Sequence, residues 1–151
     1  STLSEIQCGA EDLLVLPGGE TWMEPVHAPV LELAARRIAA DLPVAAICGA
    51  TVALARAGAL NTKHHTSNDL AFLKRIAPNY TGEALYRNLR ATSDRNLITA
   101  SGLGALLFTY EILKALKLFR PDTLEAWRDL CVTNEPRYYY DLLKTLEPAA
   151  S

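Results

Sequence analysis

Val44-Ala45-Ala46-Ile47-Cys48-Gly49-Ala50-Thr51 is the stretch on which the fold turns. Its opening run, residues 44–47, is short, apolar and unbroken, as suits a strand buried on both faces of a parallel sheet. A helical pattern resumes over 51–57 and Gly58 closes it. Upstream, Pro43 ends a helix over 30–42, in which Leu31, Ala34, Ile38 and Leu42 recur at three and four residues. Before that helix, Leu13-Leu14-Val15-Leu16 is a second unbroken run, stopped by Pro17-Gly18-Gly19. Strand, helix, strand, helix is the βαβ rhythm of an α/β domain.

Downstream, Ser67 or Asn68 is placed to cap a helix over 69–76 that Pro78 stops. A strand is expected over 97–100, with the turn at 93–96 and a hairpin partner at 89–92. After the loop Ser101-Gly102-Leu103-Gly104, Ala105, Phe108, Ile112 and Leu116 mark one helix face. Pro121 opens a further helix and a last one covers 138–146. The expected architecture is α/β with helices on both faces of the sheet.

Composition limits what this domain does. The chain has 151 residues, enough for one domain spanning 1–151 with a single real core. Half of it is apolar, 21% is charged, and the net charge is −2, so nucleic acid is not an expected main partner. No apolar run reaches the length of a membrane span, and nothing at the N-terminus reads as a signal peptide. Three cysteines, Cys8, Cys48 and Cys131, without CxxC spacing fit a reduced, cytoplasmic chain better than a disulfide framework or a zinc site. No cofactor or metal is expected. A cysteine therefore matters here for its reactivity.

Cys48 sits where a buried strand gives way to a helix, with Ala46 and Ala50 two residues to either side. That is the small-x-nucleophile-x-small spacing of a nucleophile elbow, whose strained turn tolerates only small neighbours. A helix N-terminus behind the sulfur favours thiolate, and its free N–H groups, that of Gly49 first, suit a developing oxyanion. The plainer reading is a cysteine packed as a small hydrophobe. Gly18 and Gly19 follow the first strand at the same sheet edge, either as a second oxyanion donor or as a tight turn. His64 and His65 are the general-base candidates nearest the elbow in sequence; in an extended segment one turns inward and the other outward. The alternative is one surface and one buried, hydrogen-bonded histidine. Trp22 is placed to wall a pocket, and Ser101 with Gly102 to line it. Tyr138, Tyr139 and Tyr140 spread around a helix and suit anchoring or a subunit contact.

Taken in order, Leu14-Val15-Leu16-Pro17-Gly18-Gly19, Ala46-Ile47-Cys48-Gly49-Ala50 and Thr99-Ala100-Ser101-Gly102 resemble the ThiJ/PfpI family of the class I glutamine amidotransferase-like superfamily. His65-Thr66-Ser67-Asn68 is similar to its bacterial amidase/protease branch. The resemblance covers nearly the whole chain. It implies a flavodoxin-like three-layer α/β/α sandwich with a mostly parallel sheet, a reactive Cys48, and a homodimer or larger homo-oligomer. It also implies a strand and helix ahead of this region, the strand running beside the cysteine strand, with an acidic residue that contacts the cysteine. The domain is thus expected to be N-terminally incomplete. Protease members carry His directly after the nucleophile, where this chain has Gly49.

The expected function is a cysteine-dependent hydrolase or amidase acting on a small amide, aldehyde or peptide. Cys48 would attack, Gly49 and Gly19 would hold the oxyanion, and His64 or His65 would move the proton. The alternative is a non-enzymatic stress or redox sensor, or a chaperone-like protein, using the same cysteine.

Overall fold

A computed structural model describes residues 8–146. Four strands form one sheet: β1 (Leu14–Leu16), β2 (Val44–Ile47), β3 (Ala91–Asp94) and β4 (Leu97–Ala100), in the order β1-β2-β4-β3. β1, β2 and β4 run parallel, and β3 closes the sheet as an antiparallel hairpin with β4. Six helices accompany them: α1 (Ala28–Ala39), α2 (Gly49–Arg56), α3 (Leu70–Ile76), α4 (Ala105–Leu116), α5 (Pro121–Thr133) and α6 (Pro136–Leu146). α1 and α2 pack on β2 from one side and α4 packs on β2, β3 and β4. The layers are those of the flavodoxin-like α/β sandwich.

β2 is the central strand because its side chains suit burial on both faces. Val44, Ala45 and Ala46 have no exposed surface, and the short alanines let the helices approach closely. Leu16, Val44, Ala46 and Leu54 belong to the larger core cluster, on the α1/α2 side. Ala45, Ile98, Ala100 and Phe108 form the smaller one, on the α4 side.

Several local expectations change. β1 reads as apolar on both faces, yet Val15 is 44% exposed while Leu16 is buried; among the described residues β1 lies at one end of the sheet. β2, the cysteine strand, is paired on both sides, by β1 and β4, so no gap lies beside it. The hairpin has a two-residue loop, Arg95 and Asn96, with Arg95 at φ 52°, so β3 begins two residues later than expected. α1 ends before Asp41, which turns the chain with φ 56°, and Leu42 is outside the helix. α2 starts immediately after Cys48, a half-turn earlier than its pattern suggests. α3 is capped by Asp69, whose carboxylate accepts the Phe72 N–H at 2.6 Å; Ser67 and Asn68 are engaged elsewhere. On α4, Phe108 is buried, but Ala105 and Leu116 are exposed. α6 begins at Pro136, and Tyr139 and Tyr140 are exposed along it. Among the described residues no helix is long and apolar enough to cross a membrane.

Candidate active site

The end of β2 delivers Cys48 into a backbone conformation of φ 59° and ψ −125°. Non-glycine residues avoid this region at a cost of about 1–3 kcal/mol, and they persist in it only where the surroundings hold them. Three hydrogen bonds do so here. The Cys48 N–H donates to the Ala100 carbonyl at 2.9 Å, extending the β2–β4 ladder by one bond. Its carbonyl accepts from the Thr51 N–H at 3.0 Å and from the Thr51 hydroxyl at 2.6 Å. Ala46 and Ala50 are fully buried, so the small flanking residues sit where a larger side chain would clash.

The glycine loop lies directly against this turn. A Cβ on Gly49 would stand 1.9 Å from the Gly19 carbonyl oxygen, so position 49 admits glycine alone without a backbone shift. A Cβ on Gly18 would meet the Cys48 Cβ at 3.3 Å, and one on Gly102 would meet the sulfur at 3.2 Å. Three glycines therefore bring backbone close to one cysteine. Gly49 opens α2, where the first N–H groups lack intrahelical acceptors and the helix dipole favours negative charge.

Among the described residues one side chain hydrogen bonds to the sulfur. The Asn68 amide nitrogen donates to Cys48 Sγ at 3.4 Å, and its oxygen accepts the Gly102 N–H at 2.8 Å. The sequence offers Ser67 or Asn68 as a helix cap. The usable signal was its neighbour: Asp69 supplies the cap, which frees the preceding carboxamide.

The histidines depart from expectation. His65 is fully buried; its Nδ1 donates to the Lys63 carbonyl at 2.7 Å, which leaves Nε2 to accept the Tyr80 hydroxyl at 2.7 Å. Burial lowers its pKa, against the raising effect of the Lys63 carbonyl, so the ring is held neutral. Tyr80 is pushed up to about 12, mainly by burial, and stays a donor. His64 faces the other way, with Nδ1 3.4 Å from the Leu85 carbonyl and Nε2 3.4 Å from the Arg87 guanidinium. Neither imidazole bonds to Cys48, and the expected Cys-His pairing is not formed. The two rings do take different partners, Leu85 and Arg87 for His64 and Lys63 and Tyr80 for His65, and the sulfur is not among them.

Cys48 opens into a cleft of about 330 Å³ shared with Glu20, Trp22, Val52, Asn68 and Phe72. The Trp22 indole N–H donates to the Pro17 carbonyl at 2.9 Å, fixing the ring as a wall. Glu20 is the carboxylate in this lining and had not been singled out from the sequence. Ser101 turns away, its hydroxyl and N–H both directed at the Arg90 carbonyl, while Gly102 borders the sulfur. Among the described residues no group of three or more His, Cys, Asp or Glu side chains is disposed to hold a metal ion.

A family profile, that of the DJ-1/PfpI family, matches residues 1–115. The chain belongs to this family. Its helices α5 and α6 lie beyond the matched segment. A curated relative, the "Uncharacterized protease YoaZ" of Bacillus subtilis, is 46% identical over 145 residues, which are 96% of this chain and 69% of the relative. A second from the same organism, the "Uncharacterized protease YdeA", is 32% identical over 114 residues, 76% of this chain and 57% of its own length. Among solved structures, a thiJ/pfpI family protein from Bacillus anthracis superposes with a TM-score of 0.90 at 45% identity, covering 95% of this chain and 68% of that one. A DJ-1 superfamily protein from Agrobacterium tumefaciens gives 0.66 at 36% identity, covering 82% and 67%. The fold and the family expected from the motif order are both found, and the protease-named relatives are consistent with a hydrolase-like role.

Proposed function

We propose that this protein uses Cys48 as the nucleophile of a hydrolase-like reaction on a small carbonyl substrate, an aldehyde or an activated amide or acyl group. The observation that carries the reading is the Asn68 carboxamide donating to the sulfur of an elbow cysteine at 3.4 Å, in a cleft of about 330 Å³. The donor holds the sulfur toward the cleft, and the helix N-terminus beside it suits negative charge that develops on a bound carbonyl oxygen. The thiolate pair forms a bond to the carbonyl carbon while the C=O π pair moves onto oxygen. N–H groups of the first turn of α2 suit that oxyanion. With an aldehyde, protonation of the oxygen by water completes a hemithioacetal. With an acyl substrate, collapse expels the leaving group, which takes a proton from water, and a second water hydrolyses the thioester to regenerate the thiol.

Among the described residues no imidazole hydrogen bonds to Cys48, and this selects among substrates. An unactivated peptide amine leaves only when protonated, and Asn68 cannot supply that proton because an amide neither gains nor loses one near neutrality. Aldehydes and activated acyl groups avoid this demand. The same feature supports a second reading, a peroxide-sensing thiol: Cys48 attacks one peroxide oxygen, the O–O bond breaks, and water or alcohol leaves as the sulfur becomes sulfenic acid.

Incubation with a panel of small aldehydes and activated amides, followed by peptide mass spectrometry, tests the first reading. A covalent adduct is expected on Cys48 and not on Cys8 or Cys131, and a Cys48→Ser variant should lack it. No adduct with any member, together with rapid sulfenic acid formation at Cys48 under peroxide, would favour the sensor instead.

A further inference from the structure

Ser67 and Thr51 are buried polar residues that the chemistry above leaves without a task; they are 2% and 0% exposed. The Thr51 hydroxyl lies 2.6 Å from the Cys48 carbonyl oxygen and 2.7 Å from the Ser67 hydroxyl. A carbonyl only accepts, so Thr51 spends its one hydroxyl proton on Cys48. Thr51 then accepts from Ser67, and the direction of the chain is fixed: Ser67 to Thr51 to the Cys48 carbonyl. Ser67 is itself held, its carbonyl accepting the Tyr86 hydroxyl at 3.3 Å. The next residue, Asn68, reaches the opposite side of the same cysteine, its sulfur, at 3.4 Å. Two consecutive residues thus act on Cys48, Ser67 through Thr51 at the backbone carbonyl and Asn68 directly at the sulfur.

We infer that Ser67 and Thr51 form a positioning relay that sets the reactivity of Cys48. The relay touches no substrate. It pins the carbonyl of a residue at φ 59° and ψ −125°, and so fixes where the sulfur stands relative to the Asn68 amide and the cleft. Both hydroxyls are shielded from water, so nothing replaces a lost partner. The inference rests on the reading of Cys48 as the reactive thiol, though not on any particular substrate.

The test is the pH profile of Cys48 alkylation by iodoacetamide, read peptide by peptide in the folded chain. Thr51→Val keeps the shape and removes the hydroxyl; Thr51→Ser restores it. Thr51→Val should slow labelling of Cys48 about ten- to a hundredfold near neutral pH, the scale on which a misplacement of an ångström acts. Its profile should move to higher pH, while Thr51→Ser stays within about threefold of the parent, since its hydroxyl restores the bond. Labelling of Cys131 should not change. A folded Thr51→Val protein with the parental Cys48 profile overturns the relay. If Thr51→Val does not fold, Ser67→Ala decides: it retains the Thr51 bond but frees that hydroxyl to turn, so an unchanged profile overturns the relay and a slowed one supports it. Parental Cys48 no more reactive than Cys8 or Cys131 would instead overturn the reading of the thiol itself.

Discussion

Asn68 spans the distance between Cys48 and Gly102, giving an N–H to the sulfur at 3.4 Å and taking the Gly102 N–H on its oxygen at 2.8 Å. The second bond orients the first, because an amide whose oxygen is occupied presents its nitrogen in one direction only. Replacing Asn68 by Ala removes the sulfur's side-chain donor and frees the Gly102 N–H. Hydrogen bonds to charged groups are worth about 1.5–3 kcal/mol, so alkylation of Cys48 near neutral pH should slow by roughly ten- to a hundredfold. Asn68→Asp should slow it further, since a carboxylate beside the sulfur opposes ionisation. Iodoacetamide labelling followed by mass spectrometry checks both variants, and Ala reacting as fast as the parent would remove Asn68 from the site.

The parts of this site that were legible in the sequence are those carried by backbone geometry. Ala46, Cys48 and Ala50 announce a strained strand-to-helix turn, and Gly18 and Gly19 announce a close approach at the same sheet edge. Both depend on local sterics, which a short stretch of sequence contains. The partner of the sulfur was not legible, because it depends on which face of an irregular segment meets the elbow. His64 and His65 carry the more conspicuous chemistry, but they are spent on Leu85, Arg87, Lys63 and Tyr80. Asn68, three residues on, is the one that arrives. The end position that β1 holds among the described residues was hidden for a related reason: Leu13 to Leu16 is apolar throughout, and hydrophobicity alone does not distinguish an outer strand from a central one.

Gly49 tests the packing of the two loops. A Cβ there would lie 1.9 Å from the Gly19 carbonyl oxygen and 3.5 Å from Trp22, so Gly49→Ala forces the glycine loop away from the elbow. The clash is with backbone, which yields poorly, and a loss of roughly 3 kcal/mol or more is expected. Gly19→Ala is the contrast, because its Cβ would meet only Trp22, at 3.5 Å, an ordinary contact. Thermal unfolding of the two variants should therefore separate clearly, and equal melting temperatures would contradict the close approach.

His65 predicts an acid-side loss of stability. Burial depresses its pKa below the ordinary 6.5, so the unfolded chain takes up a proton at a pH where the folded chain does not. Its contribution is present in full above about pH 6.5, declines as the pH falls toward the depressed folded value, and changes no further below it. Tm should drop between pH 7 and pH 5 by more in the parent than in a His65→Gln variant, which has no imidazole to protonate. A parallel fall in both proteins would place the acid sensitivity elsewhere.

The decisive contrast with an imidazole-assisted mechanism is His64→Ala. The His64 side chain is half-buried, and its two ring contacts, to the Leu85 carbonyl and the Arg87 guanidinium, are both long, at 3.4 Å. Its backbone N–H, which donates to the Asp94 carboxylate at 2.7 Å, survives the substitution. Stability should therefore change by no more than about 0.5 kcal/mol, as for most surface replacements. If His64 were the general base, its loss would cost roughly 10²–10⁴ in rate. The geometry predicts instead that Cys48 adduct formation with an aldehyde stays within about threefold of the parent, a factor well below the general-base range. Measuring that rate across pH 6 to 8 settles the point: a large drop would bring the imidazole back to the sulfur through a rearrangement of 63–67, the segment on which the Ser67–Thr51 relay also depends.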